Sequence, residues 1–340
     1  MATEIGIDLG SYKTVIFSGS KIILEQPSIV TVDAETFKPI YFGDKAKQTL
    51  GRTPDTLECV RPIQNGLISD YEVAEAMLKH YMTEVFGNKI IRPKVMASIP
   101  AGLTELQHRS VSNVALAAGG RSINVVESPL AIAVGLDIDF NTPRGHLIVD
   151  IGAGTTDIAV ISLGGIVSCQ SFKTASFNFD EQIITHIRRS RNIEIGQLSA
   201  EQIKIQIGSV YQRPVELTAI SKGRNMFTGL PETFEVGSAE IYKILRPTAV
   251  SICNAIKKSL ENIEPDIAAD IKAEGLYLVG GGSLIFGMKE LLHKKLGIPV
   301  NTVDAPQYSV VKGAAAALNR PEMMKNINYQ LRSMKELEIH

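Results

Sequence analysis

The chain has 340 residues, 44% of them hydrophobic and 21% charged, which is enough for more than one buried core and too apolar for a disordered polymer. Its formal charge of −1 supplies no field for nucleic acid, so none is expected as a partner, and any binding to an anionic membrane must rest on a local patch. Three scattered cysteines, Cys59, Cys169 and Cys253, form no CxxC metal or redox motif and suit a reducing cytosol; no signal-peptide pattern opens the chain and no uncharged run reaches membrane-spanning length.

The first element is Ile5-Gly6-Ile7-Asp8-Leu9-Gly10-Ser11-Tyr12-Lys13-Thr14-Val15-Ile16. β-Branched flanks around a glycine turn predict a strand–turn–strand hairpin. Residues from about Asp33 to Asn65 read as a small polar insertion. The stretch Asn88-Lys89-Ile90-Ile91-Arg92-Pro93-Lys94 places two apolar residues among basic ones and leads into a strand. Thr104 to Ala118 is helical by pattern, followed by a strand at Asn124–Val126 and a helix from Pro129.

The opening pattern then recurs as Leu147-Ile148-Val149-Asp150-Ile151-Gly152-Ala153-Gly154-Thr155-Thr156-Asp157-Ile158. A repeat so widely spaced is no solenoid; it implies two related domains facing each other across a cleft. Residues from about Asp180 to Gly237 read as a larger helical insertion. A helix is predicted over Thr248–Asn262, a strand over Leu276–Val279 and a helix over Ser309–Leu318. Strands alternating with helices give an α/β class. After Pro321, Ile327, Leu331 and Met334 fall at helical spacing with Lys325, Arg332 and Lys335 among them; an amphipathic tail and a frayed terminus are both open readings.

Turns of small residues after strands can offer several backbone N–H groups to a phosphate. Gly10-Ser11 and Gly152-Ala153-Gly154-Thr155-Thr156 both qualify. Asp8 and Asp150 stand beside them and would repel phosphate unless a cation intervenes; magnesium, reached through water, fits two carboxylates. The alternative is that both aspartates cap their turns. In Leu278-Val279-Gly280-Gly281-Gly282-Ser283, three glycines after a strand would let a flat base approach the backbone.

These motifs resemble the two phosphate segments and the adenosine segment of the actin and heat-shock ATPase superfamily. Arg61–Asp70, Ile99–Glu105, Ala159–Gly165 and Glu201–Gly208 narrow the resemblance to the MreB family of bacterial actins, over about Ile5 to Leu318. It implies an actin-like, ribonuclease H-like duplicated fold with four subdomains around a nucleotide cleft: IA (1–32 and 66–145), IB (33–65), IIA (146–179 and 238–320) and IIB (180–237), with a tail over 321–340. It further implies ATP or ADP with Mg2+ as cofactors, self-assembly into double protofilaments, and a cytoplasmic place at the inner membrane face in cell shape or motility, beside membrane-bound partner proteins. By position, Gly10, Ser11, Tyr12, Lys13, Gly152, Ala153, Gly154, Thr155 and Thr156 would meet the phosphates. Glu201 and Lys204 would lie near ribose and base with Gly280, Gly281, Gly282 and Ser283. Ile90 and Ile91 would enter lipid, the alternative being the start of a buried strand.

Three departures from the family pattern stand out. Where the family has a glutamate that polarises water, this chain has Ser128, in Glu127-Ser128-Pro129. A serine cannot serve as a base near neutral pH without an activator, so hydrolysis through Thr155 and Glu127 is expected to be slow, and on a continued strand Glu127 would point away from Ser128. Ser176-Phe177 replaces a Gly-Asp. Tyr12-Lys13 replaces a small residue and Asn, making Lys13 either an added charge at the phosphates or an exposed turn lysine. Such divergence resembles the MreB copies of wall-less helical bacteria. A non-hydrolysing scaffold switched by ATP remains an alternative. A small-molecule kinase would need a recognisable substrate pocket, and a chaperone ATPase would need a further domain.

Overall fold

The computed structural model describes residues 3–87 and 92–320 and the backbone of Arg332–Ser333. The elements, in chain order, begin with β1 (Glu4–Leu9), β2 (Lys13–Ser18), β3 (Lys21–Pro27), β4 (Val30–Asp33), β5 (Pro39–Phe42), α1 (Gly43–Thr49), β6 (Leu57–Val60), β7 (Ile63–Gln64), β8 (Leu67–Ile68) and α2 (Tyr71–Phe86). Next come β9 (Lys94–Ile99), α3 (Glu105–Ala117), β10 (Ser122–Glu127), α4 (Ser128–Gly135), β11 (His146–Ile151), β12 (Thr156–Ser162), β13 (Gly165–Phe172), α5 (Ser176–Arg191), β14 (Ile193–Glu194) and α6 (Gln197–Ile207). The rest are β15 (Thr218–Asn225), β16 (Pro231–Gly237), α7 (Ser238–Leu260), α8 (Pro265–Glu274), β17 (Leu276–Val279), α9 (Met288–Leu296), β18 (Val300–Thr302), α10 (Ser309–Asn319) and β19 (Arg332–Ser333).

The repeated sequence makes a repeated sheet. One sheet runs β19-β10-β9-β1-β2-β3 and another β13-β12-β11-β17-β18. In the first, β1–β2–β3 is an antiparallel meander, and β1 then pairs parallel with β9, and β9 with β10. In the second, β17 and β18 are likewise parallel. By position in its sheet, β17 is the counterpart of β9, each lying next to the first strand of its copy of the repeat, and β18 is the counterpart of β10, because neighbours across a sheet, not distance along the chain, define the repeat.

The chain divides into two compact units, one of residues 1–148, 159–170 and 307–340, the other of residues 149–158 and 171–306. In the first unit Ile5, Ile7, Val95, Ala97, Ile99 and Ile123 are buried among Met77, Leu78, Val111 and Val114 of the flanking helices. Thr104 caps α3 by accepting from Gln107 N, while the Gln107 side chain accepts from Thr104 N, a reciprocal pairing that starts the helix where the sequence predicts it. On the other side α10 lies against β1 so closely that a Cβ on Gly6 would come within 2.6 Å of Ala315 N. That approach is possible only with glycine.

In the second unit two expectations need correction. The insertion is not simply helical: it includes an antiparallel sheet of order β14-β15-β16. Its expected start, Asp180, falls inside α5. Helix α7 begins ten residues before the expected Thr248 and carries Pro247 within it. A proline tolerated inside a helix hides the true start from a reading that treats it as a breaker.

Candidate functional site

In the first unit the candidate residues gather at the C-terminal ends of parallel strands, a common place for ligands in α/β sheets. Asp8 of β1 pairs in register with Ser98 of β9, and Ser98 with Val126 of β10. Asp8 Oδ1 accepts from Ser98 Oγ at 3.0 Å. Burial pushes the Asp8 carboxyl up from its ordinary value, against the opposing pull of that hydrogen bond and of Lys13. A carboxylate in that position gains from a cation.

The turn after Asp8 is closed by Gly10 N donating to Lys13 O at 3.1 Å. Ser11 Oγ accepts from Gly66 N at 3.1 Å. Tyr12 Oη accepts from Lys47 Nζ at 2.8 Å. Lys13, at 19% side-chain exposure, is engaged: its Nζ lies 2.5 Å from Glu25 Oε1 and 4.2 Å from the centre of the Tyr308 ring. Tyr308 Oη in turn donates to Glu25 Oε2 at 2.8 Å. The lysine is therefore the centre of an ion pair and a cation–π contact, not an exposed turn residue.

Glu127 ends β10, and Ser128 is the first residue of α4. The chain changes conformation between them, so the strand alternation that would point them to opposite faces does not apply. Ser128 Oγ donates to Ile99 O at 3.0 Å, and Glu127 Oε1 accepts from Gly102 N at 3.1 Å.

The second unit repeats the turn. Gly152 N donates to Thr155 O at 2.8 Å. Here the loop carbonyls are held by a helix: Ser176 N donates to Gly152 O at 3.2 Å and Phe177 N to Ala153 O at 2.9 Å. These are amides of the first turn of α5, which have no partner inside their own helix. Thr155 Oγ1 donates to Asp157 Oδ2 at 3.0 Å, and Thr156 Oγ1 to Thr174 O at 2.8 Å. Burial pushes the Asp157 carboxyl up despite hydrogen bonds from Ser171 and Thr155.

Asp150 and the triple glycine are brought together. A Cβ on Gly280 would overlap Asp150 Oδ1 and Ile151 O, and one on Gly282 would overlap Ile151. Gly280 also has φ +85°. Two of the three glycines thus let the segment after β17 run tight against Asp150 and Ile151, at the start of the second phosphate-type turn, while Gly281 is exposed. Ser283 Oγ donates back to Gly280 O at 2.7 Å.

On α6, Glu201 is half-buried. Lys204 Nζ turns to α5, 2.9 Å from each oxygen of Asp180 and 3.0 Å from Ser176 Oγ. Asp180 is buried, and desolvation lifts its pKa to about 6 in spite of Lys204. Ser98, Asp180, Glu25 and Tyr308 are not marked as site residues by their sequence context, and Ser176 stands out only as half of a replaced Gly-Asp. Each matters through a contact made far along the chain, which no local motif announces.

Among the described residues no group of three or more His, Cys, Asp or Glu side chains gathers around one point. Magnesium held mainly by water needs no such group. Asn88, Lys89, Ile90 and Ile91 lie outside the described residues, as does the tail from Pro321 apart from Arg332–Ser333, whose backbone pairs antiparallel with Ser122–Ile123 of β10.

Comparison with known proteins gives concordant findings. A family model described as MreB/Mbl protein matches residues 2–326. The cell shape-determining protein Mbl of Bacillus cereus is 37% identical over 319 residues, covering 93% of this chain and 96% of that one. The cell shape-determining protein MreB of Escherichia coli is 36% identical over 329 residues, 95% of each. The crystal structure of MreB5 of Spiroplasma citri bound to ADP matches with a TM-score of 0.88 at 32% identity, covering 96% of this chain and 98% of that one. Its complex with AMPPNP gives 0.89. A MamK double helical filament matches with a TM-score of 0.77 at 24% identity over 95% of this chain and 99% of that one, which speaks to the shared actin-like fold.

Proposed function

The chain belongs to the MreB/Mbl family of actin-like proteins, and from that premise we propose that it is a filament-forming cytoskeletal protein that binds ATP with magnesium and hydrolyses it slowly. The observation that carries the nucleotide is the match, over 96% of this chain, to MreB5 bound to ADP and to AMPPNP. The paired glycine turns, each preceded by an aspartate, support it: their backbones would face phosphates, and Asp8 and Asp150 would hold magnesium through water. When bound, that ion would offset phosphate charge.

The residues of this chain bind and orient; little in them is fitted to deprotonate water. Ser128 spends its proton on Ile99 O, and Glu127 is held by the Gly102 amide. Slow turnover follows, and a switch driven by ATP binding alone is its limiting case. We assign subdomains IA and IB the boundaries given above, and place the IIA–IIB boundary at an end of α5 instead of at Asp180 within it. Among the described residues no helix is long and apolar enough to cross a membrane. Attachment to the inner membrane face would rest on the Asn88–Lys94 segment, where filament avidity would multiply a weak contact by Ile90 and Ile91. Shape or motility is the process served.

The test is co-sedimentation and electron microscopy of the full chain with Mg-ATP, Mg-ADP and no nucleotide, alongside binding of a fluorescent ATP analogue. Nucleotide binding with pelletable filaments is expected. A chain that binds no nucleotide and forms no polymer at any concentration would overturn the reading.

A further inference from the structure

Resemblance places Lys204 beside ribose and base, yet its contacts lie elsewhere. An ammonium group has three N–H donors and no acceptor. Lys204 meets Asp180 Oδ2 at 2.9 Å, Ser176 Oγ at 3.0 Å and Ser176 O at 3.4 Å, so all three directions are directed at α5. Its side chain is only 13% exposed and that of Asp180 3%. The same first turn of α5 donates Ser176 N and Phe177 N to the carbonyls of Gly152 and Ala153, and Ala175 N is closed by Asn178 Oδ1 at 2.8 Å. An unbroken path of hydrogen bonds therefore joins the Gly152–Ala153 turn to α6, the helix that carries Glu201.

We propose that Lys204 is a positioning residue: with Asp180 and Ser176 it clamps α6 to the first turn of α5, so that the phosphate turn and the helix bearing Glu201 are set in place as one body. This deepens the nucleotide reading above and rests on it. A direct nucleoside ligand would affect only the nucleoside end of the ligand. A clamp, when released, disturbs both ends, because the phosphate turn loses the helix terminus that fixes its carbonyls.

The two roles separate in a competition assay on the full chain, with a fluorescent ATP analogue as probe and Mg-ADP or magnesium tripolyphosphate as competitor. Lys204→Met is expected to weaken both competitors by a similar factor, on the order of 5- to 100-fold, as for coupled sites generally. Lys204→Gln combined with Asp180→Asn replaces the ion pair by a neutral amide pair and is expected to recover most of the loss, which a missing ammonium ligand would not. Loss of ADP affinity with tripolyphosphate affinity unchanged would overturn the proposal, as would unchanged affinity for both. Should Lys204→Met fail to fold, Asp180→Asn serves instead. It keeps the ammonium, and the same parallel weakening of both competitors supports the clamp while any other pattern overturns it. A wild-type chain that binds no probe would instead refute the nucleotide reading itself, an outcome distinct from all of these.

Discussion

In the first unit Gly10 N closes its turn on Lys13 O at 3.1 Å, and in the second Gly152 N closes its turn on Thr155 O at 2.8 Å; what surrounds the two closures differs. The first turn is fastened through side chains: Ser11 to Gly66, Tyr12 to Lys47, Lys13 to Glu25 and Tyr308. The second is fastened through its backbone, by the first-turn amides of α5, and that helix is itself clamped to α6 by Lys204. Duplication of a sequence thus preserves the hydrogen bonds that belong to the local chain. The fastening beyond them is free to diverge, because it depends on which element packs against each copy.

The largest expected effect tests whether the tied polar groups of the first unit limit its chemistry. Ser128→Glu removes one donor from Ile99 O and adds a carboxylate at the start of α4. If the missing carboxylate sets the rate, phosphate release above the polymerisation threshold rises roughly 10²–10⁴-fold. A wild-type rate already typical of efficient ATPases would show instead that another group orients the water, with Glu127 the first to examine by substitution with Gln.

In the second unit the fastening is ionic and buried, which makes its failure costly. Lys204→Met leaves Asp180 without its cation, and breaking such a pair typically costs about 3–5 kcal/mol. The cost has a pH signature. The folded-state pKa of Asp180 is raised to about 6 from 3.8, so the fold takes up a proton more readily than the unfolded chain does. The stability contributed by that proton is fully present below 3.8 and is lost as pH rises through about 6. Without Lys204, which pulls the value down, the crossing moves higher. Urea melts at pH 8 and pH 5.5 should therefore show the variant's deficit shrinking in acid; a deficit that grows in acid would contradict the burial of Asp180 as the cause.

A backbone contrast comes next. Gly280→Ala forces a side chain into left-handed backbone and against Asp150 and Ile151, for about 2–4 kcal/mol from strain and overlap together. Gly19→Ala in the first unit also sits at positive φ, +61°, but with open space around it, and should cost only about 1 kcal/mol. Thermal melts of the pair compare a positive-φ glycine packed against Asp150 and Ile151 with one that meets nothing.

Much of this was legible in the sequence because it is local. The paired Asp–glycine turns, the strand at Leu276–Val279 and the helix at Ser309 announce themselves by composition and period. The sheet hidden in the 180–237 insertion did not, because β15 exposes Ile220 and Lys222 and buries Ala219, reversing the usual hydrophobic signal. Lys13 could be read as a phosphate ligand or a free turn lysine, since nothing nearby in sequence predicts that Tyr308 will fold over it. The same holds for Lys204, whose helix pattern is plain and whose partner, Asp180, is visible only in three dimensions.

The smallest expected effect concerns the side-chain fastening of the first turn. Burial pushes the Glu25 carboxyl up, but hydrogen bonds from Lys13 and Tyr308 and the charge of Lys13 outweigh it and hold the value below the ordinary 4.5. Tyr308→Phe keeps the ring under Lys13 and removes one donor from an exposed carboxylate. Such a bond in solvent is worth about 0.5–1 kcal/mol. Because the folded value is depressed, the contribution is present above 4.5 and fades as pH falls through the folded value. Wild type and Tyr308→Phe should therefore differ slightly at pH 7 and converge in acid. A difference that persists unchanged at pH 3 would mean that the hydroxyl acts through packing around Lys13, and not through the carboxylate it caps.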